Sequence, residues 1–317
     1  MRIRDVRRAD TPSLFSLMVR EFPEESRLLG GRPEEFEKIV RRALRWDTRF
    51  LLELLWVFRR PVFRLPVVEE DGKIAGMVML GFSRVSTFVS TLVVDPAYRR
   101  RGFAKALLEE GRRDAERFGK KYLVLGVLET NTGARALYDS LGYLPFQRQE
   151  ELVLEPTDPL RTAPSVPPPG SDSIRPFRRA DTAALVEIAR RQSPPKVEEV
   201  LPTTKRDFLG FALANRVMAT EEAAWVIDRG HGAEAHVSAN VSKAFEAAHM
   251  SGPVVSETVS PDLTEALVRT AGAWCAARNA PRILSMVADH NPRGRAALEA
   301  AGFRHVYATQ TLYRPVA

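Results

Sequence analysis

Leu92-Val93-Val94-Asp95-Pro96-Ala97-Tyr98-Arg99-Arg100-Arg101-Gly102-Phe103-Ala104 is the stretch on which the reading of this chain turns. An apolar strand runs into a basic turn, and the turn opens a helix predicted over residues 102–118. The first N–H groups of a helix have no intrahelical acceptor, and the helix dipole is positive at that end. A phosphate is stabilised in such a place. Gly102 and the small Ala104 let a ligand approach the backbone closely. Arg99, Arg100, Arg101 and Lys105 add positive charge. Taken alone this is a weak signal, because an ordinary basic helix start has the same composition.

The flanking sequence extends the pattern. Residues 2–6 read as a short strand, and Asp10 caps a helix to about residue 20 with Leu14, Leu17 and Met18 on one face. Residues 33–60 read as one or two helices, starting at Pro33 with Glu34 and Glu35 in the first turn. Strands over 62–69 and 73–82 flank a Glu70-Asp71-Gly72 turn, which makes a hairpin. A strand over 85–95, the helix 102–118, a strand over 122–128, a helix over 132–141 stopped by Gly142 and a strand over 147–154 follow. This order predicts an α/β (α+β) fold with a mixed central sheet flanked by helices.

The chain then repeats itself. IRDVRRADTPSL at 3–14 and IRPFRRADTAAL at 174–185 agree at eight of twelve positions. NTGARALYDSLGY at 131–143 pairs likewise with NPRGRAALEAAGF at 291–303. Residues 155–173 carry six prolines and no apolar period, the composition of an extended linker. Two tandem domains are expected, 1–154 and 174–317, joined by 155–173.

Composition bounds the function. A chain of 317 residues with 27% charged and 44% hydrophobic residues is globular rather than disordered. No apolar run approaches the roughly 18 residues of a membrane span, and MRIRDVRRAD has no apolar core of a secretory signal. A single cysteine, Cys275, excludes an internal disulfide and a cysteine-based zinc cluster. The chain is therefore read as cytoplasmic, without membrane or metal. The net charge of +7 is uneven: residues 1–154 hold 28 Lys+Arg against 22 Asp+Glu, a balance of +6. That suits a phosphorylated cofactor or nucleic acid, and equally a solvated basic surface.

Arg99-x-x-Gly102-x-Ala104 resembles the (Gln/Arg)-x-x-Gly-x-(Gly/Ala) signature of the GNAT superfamily of N-acetyltransferases, here directly after a Leu-Val-Val-Asp-Pro strand end. Twenty-seven residues after Ala104, Asn131-x-x-Ala134-x-x-Leu137-Tyr138-x-x-x-Gly142-Tyr143 resembles that family's second cofactor motif. The resemblance covers nearly all of 1–154 and is far weaker in 174–317. It implies acetyl-CoA as cosubstrate, with the pyrophosphate on the N–H groups of Arg99, Arg100, Arg101, Gly102, Phe103 and Ala104. It further implies that the pantetheine arm pairs with the main chain of Leu92, Val93 and Val94, in a slot left where strand 122–128 splays away. Asn131 and Ala134 then adjoin the arm, and Lys105 the phosphates.

The implied reaction is acetyl transfer to an amine, and Tyr138 stands at the family's general-acid position. Many relatives place a carboxylate on the strand before the turn; here that strand offers Ser86, Thr87, Ser90 and Thr91. Glu129, Glu21, Glu24 and Glu25 are the remaining candidates for a base, each as readily a solvated carboxylate, and Glu129 is taken forward. The second copy lacks five residues after Pro261, where the first has its turn, and Leu298 replaces Tyr138. A degenerate second domain is expected, with its five histidines (His231, His236, His249, His290, His305) in ordinary structural roles. The apolar run 50–58 needs a cover, either the second domain or an apolar acceptor. The expected partner is a small-molecule or peptide amine, with no nucleic acid, on a monomer or homodimer. A non-catalytic acyl-CoA-binding or sensing protein is the competing reading.

Overall fold

A computed structural model of the chain describes residues 1–21, 63–157, 173–209, 220–242 and 245–316. The helices expected over 33–60, the apolar run 50–58, Glu24, Glu25 and most of the proline-rich segment lie outside the described residues. The chain forms two compact units.

Unit 1 takes in the described residues 1–21, 63–146 and 310–316. Its strands are β1 (Arg2–Asp5), β2 (Phe63–Arg64), β3 (Pro66–Glu70), β4 (Lys73–Phe82), β5 (Ser86–Val94) and β6 (Tyr122–Leu128), and its helices α1 (Thr11–Glu21), α2 (Phe103–Arg117) and α3 (Thr132–Ser140). The sheet runs β1-β3-β4-β5-β6. Alternation along the strands sends Val67, Met77 and Val93 to the face that packs Leu14 and Leu17 of α1. Val68, Val78 and Val94 go to the other face, where Phe103, Leu107, Leu108 and Ala115 of α2 lie at helical spacing.

Asp10 directly precedes α1 and is tied to the first strand. It is buried, accepts both Nη atoms of Arg4 at 2.7 and 3.0 Å, and takes the N–H of Arg7 at 2.6 Å. Burial is the largest influence and would raise its carboxyl; the hydrogen bonds and charges of Arg4 and Arg7 together outweigh it and hold the carboxyl below the usual carboxylate range. The same knot recurs in the second copy, where Asp181 accepts Arg175 at 2.8 and 2.7 Å and Arg178 N–H at 2.7 Å. The repeated Ile-Arg…Arg-Arg-Ala-Asp thus encodes a partly buried ion pair that ties the first strand to the start of the first helix.

One pairing positions the site. β5 and β6 run parallel from Ser86↔Tyr122 to Val89↔Leu125 and then part, although both continue. Across from β4 the register shifts between Met79↔Thr91 and Leu80↔Val89, so Ser90 bulges where β5 leaves β6.

Unit 2 holds the described residues 147–157, 173–209, 220–242 and 245–309. Its sheet order is β7-β13-β11-β10-β9-β8, with β7 (Leu144–Leu154), β8 (Ile174–Pro176), β9 (Thr220–Asp228), β10 (Ala233–Ser242), β11 (Ala248–Ser251) and β13 (Ile283–Ala288), while β12 (Val254–Val255) pairs β10. Its helices are α4 (Thr182–Gln192), α5 (Pro195–Val200), α6 (Arg206–Leu209), α7 (Pro261–Ala276) and α8 (Pro292–Ala300).

These units depart from the expected division at 154 and 174 by one strand each. Residues 147–154 count with unit 2, where β7 pairs β13 from Ile283↔Leu154 to Ala288↔Gln149. The last residues of β14 (Arg304–Pro315) count with unit 1, where Tyr313 meets the ring of Tyr122 at 5.7 Å and Val316 N donates to Lys121 O at 2.9 Å. Two similar copies offer similar strand edges, so main-chain pairing does not by itself distinguish a strand's own copy from the other. Among the described residues, no helix is long and apolar enough to cross a membrane.

Candidate active site

The parting of β5 and β6 opens a cleft of about 740 Å³ in unit 1, lined by the end of β5, the turn that follows and one face of α3. The turn is built step by step. Asp95 accepts the N–H of Ala97 at 2.9 Å and so caps a single 3-10 turn, Pro96–Tyr98. Arg100 then takes φ 62° and Gly102 φ 84°, both left-handed. For arginine that conformation costs about 1 kcal/mol, strain of the kind that collects at binding sites. α2 starts after Gly102 with no side-chain cap, and its first bond runs from Ala106 N to Gly102 O at 3.0 Å. The N–H groups of Phe103, Ala104 and Lys105 are thereby left open, as an anion site requires.

Most expected cofactor residues converge here. Leu92, Val93, Val94, Arg99, Arg100, Gly102, Phe103, Ala104, Lys105, Asn131, Ala134 and Tyr138 all line the cleft. Two expected site residues do not. Arg101 turns away, donating to Glu70 Oε1 at 2.9 Å and lying over the rings of Tyr98 and Phe103 at 5.5 and 5.2 Å. Glu129 is not among the lining residues, and the backbone carbonyl there accepts Arg135 Nη1 at 3.2 Å. The reason is local: β6 ends at Leu128 and the chain turns before α3, which carries Glu129 off the cleft wall.

Tyr138 is 7% exposed and packs against Tyr143, with ring centroids 5.6 Å apart. Burial pushes its phenol up to about 12. The Tyr143 hydroxyl is sealed without a partner; that of Tyr138, on the cleft wall, is not sealed. Asn131 caps α3, its Oδ1 accepting Ala134 N–H at 3.0 Å, so the residue serves the helix and the cleft together.

Sequence reading left Glu21 as one acid among several, named Leu137 within the motif without a role, and overlooked Gly133 and Ser140. All four line the cleft. The α3 residues were legible: 133, 137 and 140 fall one and two helical turns apart, on the face that carries Ala134 and Tyr138.

Among the described residues, the corresponding elements of unit 2 stay together where β5 and β6 part in unit 1. β11 pairs β13 along its whole length, from Ala248↔Ile283 to Ser251↔Met286. The strands remain close beyond that point, since a Cβ on Gly252 would lie 2.7 Å from Met286 O. Asn291, matching Asn131, donates its Nδ2 to Pro253 O at 2.8 Å and bridges the place where a slot would be. α7 begins at once, with Ser260 capping Leu263 N–H, a proline in the first turn and Asp262 beside it. Leu298, in the place of Tyr138, is wholly buried.

The family model described as "Acetyltransferase (GNAT) family" matches residues 17–143. The [Ribosomal protein bS18]-alanine N-acetyltransferase of Escherichia coli strain K12 is 35% identical over 76 residues, 24% of this chain and 51% of that protein. The chain thus spans about half the length of the curated relatives it matches. Two solved structures share the fold over the whole chain. One is a tandem GNAT protein from the clavulanic acid biosynthesis pathway, with a TM-score of 0.66 and 16% identity, covering 100% of this chain and 98% of that one. The other is a GCN5-related N-acetyltransferase from Sphaerobacter thermophilus, with a TM-score of 0.65 and 15% identity, covering 99% and 95%. The matched residues 17–143 contain the turn 99–102 and the α3 motif, and over them the chain is similar to the acetyltransferase (GNAT) family.

Proposed function

We propose that the chain is an acetyl-CoA-dependent N-acetyltransferase that binds one cofactor per chain, in unit 1, and transfers the acetyl group to an amine of a small molecule or peptide. The observation that carries this reading is the cleft itself: open helix N–H groups and basic side chains at one end, strand main chain without its β6 neighbour along one wall, and a phenol on the other.

Acetyl-CoA, when bound, supplies an acyl group already activated as a thioester. The N–H groups of Phe103, Ala104 and Lys105 suit its diphosphate, with Arg100 and Lys105 as counter-charges. Main chain over 92–94 has lost its β6 partner and offers hydrogen bonds to the amides of an extended arm. Tyr138 Oη holds a proton at the cleft wall, available to a departing sulfur. Its raised value keeps it protonated throughout the ordinary pH range. The closure of the corresponding site in unit 2 supports the single-cofactor stoichiometry.

A second reading, acyl-CoA binding without catalysis, draws on one observation. The described residues that line the cleft include a single carboxylate, Glu21, and it is engaged by Arg99. Thiol release from acetyl-CoA, measured against a panel of primary amines, separates the two. Amine-dependent release supports the transferase. One molecule of CoA bound in calorimetry with no release for any amine supports the binding protein, and two comparable sites would overturn the stoichiometry.

A further inference from the structure

The end of α1 meets the phosphate turn through a series of alternating charges. Arg20 Nη2 donates to Asp95 Oδ2 at 2.8 Å, and Arg20 Nε to Glu21 Oε1 at 2.8 Å. Glu21 Oε2 accepts from Arg99 Nη2, and Arg99 Nε donates to the carbonyl of Val94 at 3.2 Å. Glu21 lines the cleft alongside Arg99, Arg100 and Gly102, with a side chain only 10% exposed against 53% for Arg99. Asp95 has a structural place: hydrogen bonds from Arg20, and then from the Ala97 N–H, hold its carboxyl below the usual range. Among the described residues, the partners of Glu21 are the side chains of Arg20 and Arg99, and its carboxylate faces an anion site built from helix N–H groups and arginines.

A carboxylate in such a position is chemically a substitute for the anion. It satisfies the guanidinium while the turn is open, and it opposes a diphosphate that arrives beside it. We propose that Glu21 is a built-in competitor for the cofactor's diphosphate: it occupies Arg99 in the CoA-free protein and yields Arg99 when a phosphorylated ligand binds. This rests on the cofactor reading above and adds to it a residue that sets affinity for the phosphate end alone. Binding of the phosphate-free arm is indifferent to Glu21, and the competition weakens as salt screens it.

The test is calorimetry on the full chain with CoA and, separately, with pantetheine, which carries no phosphate. Glu21→Gln removes the charge and keeps the shape; it should bind CoA about tenfold more tightly, an effect of the size expected for one exchanged charge-assisted contact. Pantetheine binding should not change, and the gain for CoA should shrink at high salt. Glu21→Asp, which retains the charge, should show no comparable gain. Unchanged or weaker CoA binding by Glu21→Gln, or equal gains for CoA and pantetheine, would overturn the proposal while leaving the cofactor reading in place. A wild-type chain that binds no CoA would overturn both.

Discussion

Replacing Tyr138 by phenylalanine tests what its hydroxyl does. The phenol is pushed up to about 12 by burial, whereas an ordinary thiol lies near 8.5. Complete transfer of the phenolic proton to such a thiolate is therefore uphill by about 3.5 units, or ~5 kcal/mol. A sulfur desolvated by the same walls rises too, which narrows the gap without reversing its sign unless the sulfur is buried as deeply. On the proposed transferase reading, Tyr138 would act as a hydrogen-bond donor to developing negative charge, more than as an acid that parts with its proton. A hydrogen bond to a charged group contributes roughly 1.5–3 kcal/mol, so Tyr138→Phe should lower kcat by about 10- to 150-fold. CoA affinity should not move. The melting temperature should hold, because no hydrogen bond of the hydroxyl is lost and the ring stays against Tyr143. The alkaline limb of the wild-type pH profile should show no inflection from this group below about 12, since it donates while protonated. The assay is steady-state thiol release with an active amine, with pre-steady-state measurement establishing that chemistry limits the rate. An unchanged kcat under that condition removes Tyr138 from the mechanism, and a loss far above about 10³-fold shows a full proton donor instead. Leu298→Ala is the internal control: a wholly buried leucine in the matching helix should cost about 2–5 kcal/mol of stability and leave kcat alone.

Gly102→Asp should abolish CoA binding in a folded protein. A Cβ there meets nothing within 4 Å, so the structural cost is confined to the left-handed backbone, about 1 kcal/mol, while the carboxylate opposes the diphosphate. Retained CoA affinity with native circular dichroism would show that the turn is not the phosphate site. Glu151 in unit 2 is 6% exposed, and burial pushes its carboxyl from 4.5 up to about 7. A raised folded value means the native state holds the proton longer, so this contribution is fully present below about 4.5 and is lost as pH rises to 7, a change of ~3 kcal/mol. Glu151→Gln should therefore raise stability at pH 8 by up to that amount and change it little near pH 4.5. Parallel stability–pH curves for the two proteins, from urea unfolding, would refute this.

The sequence by itself determined a great deal of unit 1. The order of strands and helices, the turn 99–102 and the second copy's missing turn all rest on local chemistry. A glycine opening a helix, an asparagine before a helix and a deletion are each written within a few residues. The Arg4–Asp10 and Arg175–Asp181 knots were visible only as a repeat, because a salt bridge needs the strand folded onto the helix start before its purpose shows. Only tertiary structure decided the rest. Arg101 stands between two cleft residues in sequence but points to Glu70, because the turn's left-handed steps rotate successive side chains to different sides. Glu129 sits two residues before Asn131 yet leaves the cleft wall, while Glu21, 78 residues from Arg99, joins it. The terminal strands 147–154 and 310–316 count with the other copy's unit, where β7 pairs β13 and Leu312 and Val316 join the unit 1 core. Short-range conformational preference is encoded residue by residue; which distant charge or strand edge comes alongside depends on how the whole chain closes.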